Sequence, residues 1–347
     1  MIHSRIFAAA FLAVTLAITT LAGCRTPSVA PPLTRFEFER PQMGVPFRIV
    51  LYAETAAQAD AASAAAFARV AALNAALSDY EDDSEISRLS KTAGSGRAVP
   101  VAADLWNVLA AAQKLSARSD GAFDVTVRPL VQVWRRARRQ REMPSLDRLA
   151  AAREVTGYQN LELDARHRTA TLKLPGMQLD LGGIAKGYAA DEALKTLRAH
   201  GITRALVAVA GDMTAGDAPP GKPGWRVEVP SLDVPNAPPA QFVLLANSAL
   251  STSGDLFQRL ELGGKRYSHI IDPRTGRPVT DHSLVTLIAR DCTTADSLAT
   301  VVSVLGPEAG LALVRRTRGA EARIHSQPDE KFHTTETPGF RRFLEAP

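Results

Sequence analysis

Only two cysteines, Cys24 and Cys292, occur in 347 residues. If Cys24 is engaged elsewhere, Cys292 has no partner within the chain. Disulfides then contribute nothing, and the core must hold by packing. No repeat of fixed period runs along the chain, which excludes solenoid and propeller arrays. The net charge is +5 and the pI near 9.4, a balance that raises the question of nucleic acid. Yet no aromatic residue interleaves with the densest basic run, Arg135-Arg136-Ala137-Arg138-Arg139-Gln140-Arg141. A solvated face, or one resting on anionic lipid, fits that run better, and no nucleic-acid partner is expected. A phosphate-binding loop is also missing. Gly216, Gly221 and Lys222 imitate its spacing, but Pro223 stands where Ser or Thr is required, and Pro219 and Pro220 remove N–H groups. Asp82, Asp83 and Glu85 lack the spacing and glycine of an EF-hand and read as capping and solvation.

Apolar residues make up 46% and charged residues 22%, enough for a sizeable core in one large domain or two smaller ones. The first residues carry Arg5, then 6–21 are almost wholly apolar, and Leu21-Ala22-Gly23 precede Cys24. This predicts a lipoprotein signal over 1–23, cleaved before Cys24 with lipid on its thiol. Residues 24–34 form a Pro-rich tether, and the folded domain runs over 35–340. The expected address is a bacterial membrane, lipid-anchored and facing the periplasm, with the inner membrane favoured.

Strand-like material opens the domain at 36–52. Helices are predicted over 56–78, with Phe67, Val70, Leu73 and Leu77 on one face, and over 104–118. An Asp-Gly turn at 120–121 presents Phe123 and Asp124 together. A short helix over 145–156 and a hairpin over 158–174 follow. Residues 177–188 run from strand through a Gly-Gly turn into a helix that stops at Gly201. Such a turn is a general seat for anions, although glycines also serve close strand–helix packing. Strands follow at 204–210, 225–229, 242–246, 265–271, 284–289 and 322–325, with a helix over 307–318 and a loosely defined tail. Strands in runs as well as alternating with helices predict an α+β fold, with mixed or antiparallel sheets flanked by helices.

The most informative stretch is 253–300. Tyr267-Ser268-His269-Ile270-Ile271-Asp272-Pro273 ends a β-prone run in an Asp-Pro-Arg-Thr-Gly reversal. A strand then feeds a helix expected to hold Asp296 in its first turn and Thr300 one turn on. Two readings fit these residues: a base beside a metal, or a core-strand histidine with an ordinary helix-start Asp and Thr.

Five blocks taken together resemble the FAD:protein FMN transferases, the ApbE family. They are Met43-Gly44-Val45-Pro46-Phe47; Gly121-Ala122-Phe123-Asp124; Leu179-Asp180-Leu181-Gly182-Gly183-Ile184-Ala185-Lys186-Gly187-Tyr188; the 267–276 stretch; and Ala295-Asp296-Ser297-Leu298-Ala299-Thr300. The resemblance implies the family's T-fold-like architecture, with FAD and a metal in a central cleft. It implies transfer of FMN from FAD to a Thr or Ser hydroxyl of a target protein, with AMP released and Mg²⁺ required. It places FAD contacts at Met43, Tyr80, Ala122, Phe123, Asp124, Asp180, Lys186 and Ile271. It places Mg²⁺ ligands at Gly183 (through its carbonyl), Asp296 and Thr300, and a base at His269. The target it suggests is a subunit of a membrane redox complex or an exported flavoprotein. Two positions depart from the family pattern: Ala210 before Gly211-Asp212, and Arg128 where a glycine is common. FAD hydrolysis to FMN and AMP, and flavin binding without turnover, stand as alternatives.

Overall fold

The computed structural model describes residues 32–234, 239–254, 259–327 and 331–345. The expected signal segment, Cys24, most of the tether and Asp255 lie outside the described residues.

Eight strands form the main sheet: β1 (Thr34–Gln42), β2 (Val45–Ala53), β3 (Ala205–Val209), β4 (Asp212–Ala215), β5 (Ser248–Gly254), β6 (Ser283–Ala289), β7 (Glu321–Ser326) and β8 (His333–Glu336). Each strand pairs antiparallel with the next, so spatial order follows chain order. Between β2 and β3 the chain inserts α1 (Ala56–Leu77), α2 (Glu85–Ser90), α3 (Ala103–Arg118), α4 (Arg128–Gln140), α5 (Leu146–Glu154) and α6 (Ala185–Ala199). Helix α7 (Cys292–Arg315) follows β6. The α+β expectation holds.

Period-two alternation sets the layers. Phe47, Ile49 and Leu51 of β2 face one core, and Val50 faces the other. The first core lies against α1, α3, α6 and α7. The second is closed by the hairpin Trp225–Val229 with Gln241–Leu245 and by the fully buried Phe340. A third, smaller cluster joins Leu130, Trp134 and Ala137 of α4 to Ala152, Leu260 and Ile271.

Several elements differ from expectation. The tail expected to be loose contains β8 and a 3₁₀ turn, Phe340–Phe343, because Phe340 anchors it. Residues 177–181 form no strand; a single bridge, Gln178 to Val127, is their only ladder contact among the described residues. Helices α2 and α4 escape sequence reading. The first is a single six-residue segment capped by Ser84, and the second is dominated by arginines whose charge masks the Leu130–Trp134–Ala137 stripe. The predicted 265–271 strand is broken. It pairs over Lys265–Ser268, breaks at His269 and resumes at Ile271–Asp272.

One end of the sheet gathers the turns that matter. Phe47 lies opposite Val209, and Asp212 opposite Ser251. The β1–β2 turn at Met43-Gly44 and the β3–β4 turn at Ala210-Gly211 therefore share that end. Met43 (φ 52°) and Gly44 (φ 75°) form a two-residue hairpin with both central residues left-handed.

Candidate active site

Helices α6 and α7 touch at Gly187, where a Cβ would lie 2.3 Å from the Cys292 carbonyl oxygen. Only glycine permits that approach, and it brings Asp296 against α6. The Gly187 N–H, which in a regular helix reaches back to the Gly183 carbonyl, donates instead to Asp296 Oδ2 at 3.0 Å. Lys186 Nζ donates to Asp212 Oδ2 at 2.6 Å and sits 3.4 Å from both Asp296 oxygens. Ser251 Oγ donates to the other Asp212 oxygen at 2.6 Å. Asp296 lies in the second turn of α7 rather than the first, because Asp291 caps the helix by accepting from the Thr294 N–H at 2.8 Å.

This centre holds two buried carboxylates and one ammonium, and it is one positive charge short. Burial and the nearby Asp212 push Asp296 up to about 7, with Lys186 pulling the other way. For Lys186, burial opposes the charged form, but Asp296 and Asp212 outweigh it and raise its pKa.

Beside the pair, a Cβ on Gly183 would lie 3.0 Å from Thr300 Oγ1 and 3.3 Å from Phe123 Cε2. Gly183, Thr300 and Phe123 are thus in contact across three separate elements. The Thr300 hydroxyl donates to the Asp296 carbonyl one turn back (3.2 Å), leaving its lone pairs outward. Among the described residues no three His, Cys, Asp or Glu side chains converge as a metal cluster. A cation here would take oxygen from a carboxylate, a hydroxyl and the carbonyl freed from the helix ladder, and complete its shell with water. That donor set suits Mg²⁺, and the charge deficit favours a cation, so the residues fit the ion.

A second charged cluster lies at the start of α4. Arg128 pairs with Asp79, and Arg135 lies 3.4 Å from Asp180 and 3.8 Å from Asp79. Burial and the Asp180 charge raise Asp79 to about 6, against the two arginines. Asp180 Oδ1 also accepts from the Gly182 N–H at 2.8 Å, which ties this cluster to the Gly183 turn. Tyr80 is 75% exposed, with the Arg135 guanidinium 4.9 Å from its ring centre. Arg128, one of the two departures, is thus satisfied by Asp79.

The other expected residues divide. Ala122 and Phe123 are buried, and Phe123 forms a wall of the Gly183 turn. Asp124 turns inward: its carboxylate accepts from the Thr126 N–H and hydroxyl and from the Tyr158 N–H, each at 2.7 Å. In this structure it shapes the loop. Ile271 packs in the α4 cluster, and Met43 half-buries at the sheet end. His269 is exposed at the strand break. Its backbone neighbours are pinned, with Ser268 N–H bonded to the Val279 carbonyl and Val279 N–H to the Ile270 carbonyl, both at 2.9 Å. The protruding side chain therefore stands on a fixed base.

Sequence reading did not single out Asp212 as the partner of Lys186, Gly187 as the helix contact, or Asp79 and Arg135 as the frame of Asp180. The Gly187 contact had a signal, since a glycine inside an otherwise sound helix marks a close approach. Asp212 had none, because the pairing spans unrelated elements.

Fold and site define an α+β protein whose central antiparallel sheet presents an acidic, lysine-bridged centre between two closely packed helices. The ApbE family model matches residues 43–324, and the chain belongs to the ApbE family. A relative from Klebsiella pneumoniae (strain 342), named FAD:protein FMN transferase, is 34% identical over 338 residues, covering 94% of this chain and 95% of that protein. One of the same name from Escherichia coli (strain K12) is 36% identical over 276 residues, 77% of each chain. Among solved structures, flavin transferase ApbE from Vibrio cholerae superposes with a TM-score of 0.80 at 29% identity, covering 90% of this chain and 100% of that one. The apo form of Pseudomonas stutzeri flavinyl transferase ApbE gives 0.79 at 32% identity, covering 91% and 98%.

Proposed function

We propose that the chain transfers FMN from FAD to a Thr or Ser hydroxyl of a partner protein, with AMP as the leaving group. The observation that carries this is the charge-short Asp212–Lys186–Asp296 centre opening beside Gly183, Thr300 and Phe123, in a member of the ApbE family. Asp296, Thr300 and the Gly183 carbonyl would hold Mg²⁺, which would supply neutralising charge to the pyrophosphate. Lys186 bridges the two carboxylates and fixes their orientation. Phe123 and the Asp180 turn position the flavin-bearing half of FAD. The acceptor oxygen bonds to the FMN phosphorus, the bond from that phosphorus to the bridging oxygen breaks, and AMP leaves with the electron pair. The acceptor proton passes to His269, whose exposure suits a group that meets a second protein. The signal over 1–23, lipid on Cys24, a tether over 24–34, a domain over 35–340 and a periplasm-facing membrane address complete this reading. The acceptor is then a redox-complex subunit or an exported flavoprotein.

The test is incubation with FAD, Mg²⁺ and a Thr-bearing acceptor protein. Protein-bound flavin with AMP supports transfer. Free FMN with AMP makes the chain a hydrolase, and absence of AMP makes it a binder. His269→Ala should keep FAD binding and lower transfer by roughly 10²–10⁴-fold. Because only neutral imidazole accepts a proton, wild-type transfer should fall as pH falls. A variant that melts like wild type and transfers at its rate would remove His269 from the mechanism.

A further inference from the structure

Helix α4 has two working faces. Leu130, Trp134 and Ala137 pack toward Ile271, and Trp134 Nε1 donates to the Gly276 carbonyl at 2.9 Å, within the turn that follows His269. The adjacent face, together with α5, lines a groove of about 430 Å³, with Ala137 and Ala152 on the border between groove and cluster. Val133, Met143, Ala151 and Ala152 give it an apolar part, and its charged lining residues are Arg136 and Arg148 against the single carboxylate Glu142. Its inner end is Gln178, which accepts from Arg128 Nε (3.2 Å) and Gln132 Nε2 (2.9 Å), two residues before Asp180. The groove thus runs outward from the second charged cluster, and the helix that lines it also supports the His269 turn.

Its chemistry is distinctive. Residues 128–154 contain eight arginines and three acidic residues, which matches the whole formal excess of +5 in the chain. Among the large apolar side chains exposed in the described residues, Met143 (49%) and Leu146 (79%) sit together on the connection between α4 and α5. A partly apolar concavity with an arginine excess, tied through Gln178 to the Asp180 cluster, complements an extended chain carrying acidic and apolar side chains.

We propose that the α4–α5 groove seats an acidic, partly apolar segment of the acceptor protein and delivers its hydroxyl toward His269. The proposal rests on the transferase reading. A planar anionic bilayer is the other basic-surface partner, but a bilayer meets a convex basic face, and here Val133, Met143, Ala151 and Ala152 line a concavity.

The test uses the full chain and two fluorescent peptides. One carries a Thr among alternating Asp and Leu residues, and the other has Lys in place of each Asp. The acidic peptide should bind and the Lys peptide should not. Arg136→Glu with Arg148→Glu should weaken acidic-peptide binding by about tenfold or more. Binding of FAD, read by flavin fluorescence, should stay at the wild-type level, since neither arginine touches the acidic centre. Arg136→Gln with Arg148→Gln is the milder pair and should give a smaller loss in the same direction. Failure of the acidic peptide to bind, or equal binding by wild type and both double variants, overturns the docking proposal. So does unchanged peptide binding with lost binding to phosphatidylglycerol vesicles, which would make the face a membrane contact. Flavin attached to the peptide Thr, measured with AMP in the same samples, reports separately on the transferase reading.

Discussion

Two buried acidic clusters flank the Gly182-Gly183 turn, and they differ by one cation. At the sheet end, among the described residues, Asp212 and Asp296 share Lys186 alone. At the start of α4, Asp79 and Asp180 share Arg128 and Arg135. Both clusters raise a carboxylate, Asp296 to about 7 and Asp79 to about 6, and burial is the leading cause in each. The second cluster is balanced by two guanidinium groups of fixed geometry, which suits a scaffold. The first lacks a positive charge, and a divalent cation with oxygen ligands would supply it. The same residue types thus frame a loop in one place and leave a seat in the other.

The largest expected effect comes from removing the deficit. Asp296→Asn leaves Asp212 and Lys186 as a neutral pair, so the centre no longer calls for a cation. FAD cleavage at ordinary Mg²⁺ should fall by roughly 10²–10³-fold, measured as AMP release. Next, Arg135→Ala unbalances the second cluster and releases Asp180 and the Tyr80 ring. Binding of FAD should weaken by about tenfold, read by flavin fluorescence, because the loss is a partly exposed pair rather than a ligand.

How much of this was legible in sequence follows from the range of the signals. Local chemistry announced the hairpin at 158–174, the Gly201 stop and the turn after His269. Asp296 and Thr300 stood out by their spacing, Met43 and Gly183 were reached by resemblance, and Gly183 and Thr300 do meet. What stayed hidden was long-range: Lys186 against Asp212, and Gly187 against Cys292. No periodicity encodes such pairs, since they arise when α6 and α7 pack together. Arg135 was read as solvated because its partners Asp79 and Asp180 lie far off in sequence. The hydrogen bonds that Asp124 accepts from Thr126 and from the distant Tyr158 were likewise not legible.

A smaller effect separates the clusters by pH. The folded state holds the Asp296 proton more tightly than the unfolded chain does, so it binds more protons between the ordinary carboxylate range and about 7. Stability of the Mg²⁺-free protein should therefore fall as pH rises through that window. Asp296→Asn should flatten the part of the slope that Asp296 contributes, while the Asp79 part, ending near 6, persists. Melting curves across pH check both. The smallest effect concerns the sheet end. Ala210 sits at φ 51°, a left-handed conformation that glycine adopts without strain. Ala210→Gly should stabilise the fold by about 1 kcal/mol and leave catalysis unchanged, as a small rise in Tm.

The charge deficit itself is tested most directly by Mg²⁺ titration of the melting temperature at about pH 8, where Asp296 has given up its proton. Wild type should gain stability with Mg²⁺ and Asp296→Asn should not. An unchanged wild-type melting temperature, or an equal gain in the variant, would contradict the assignment of this centre as the cation seat.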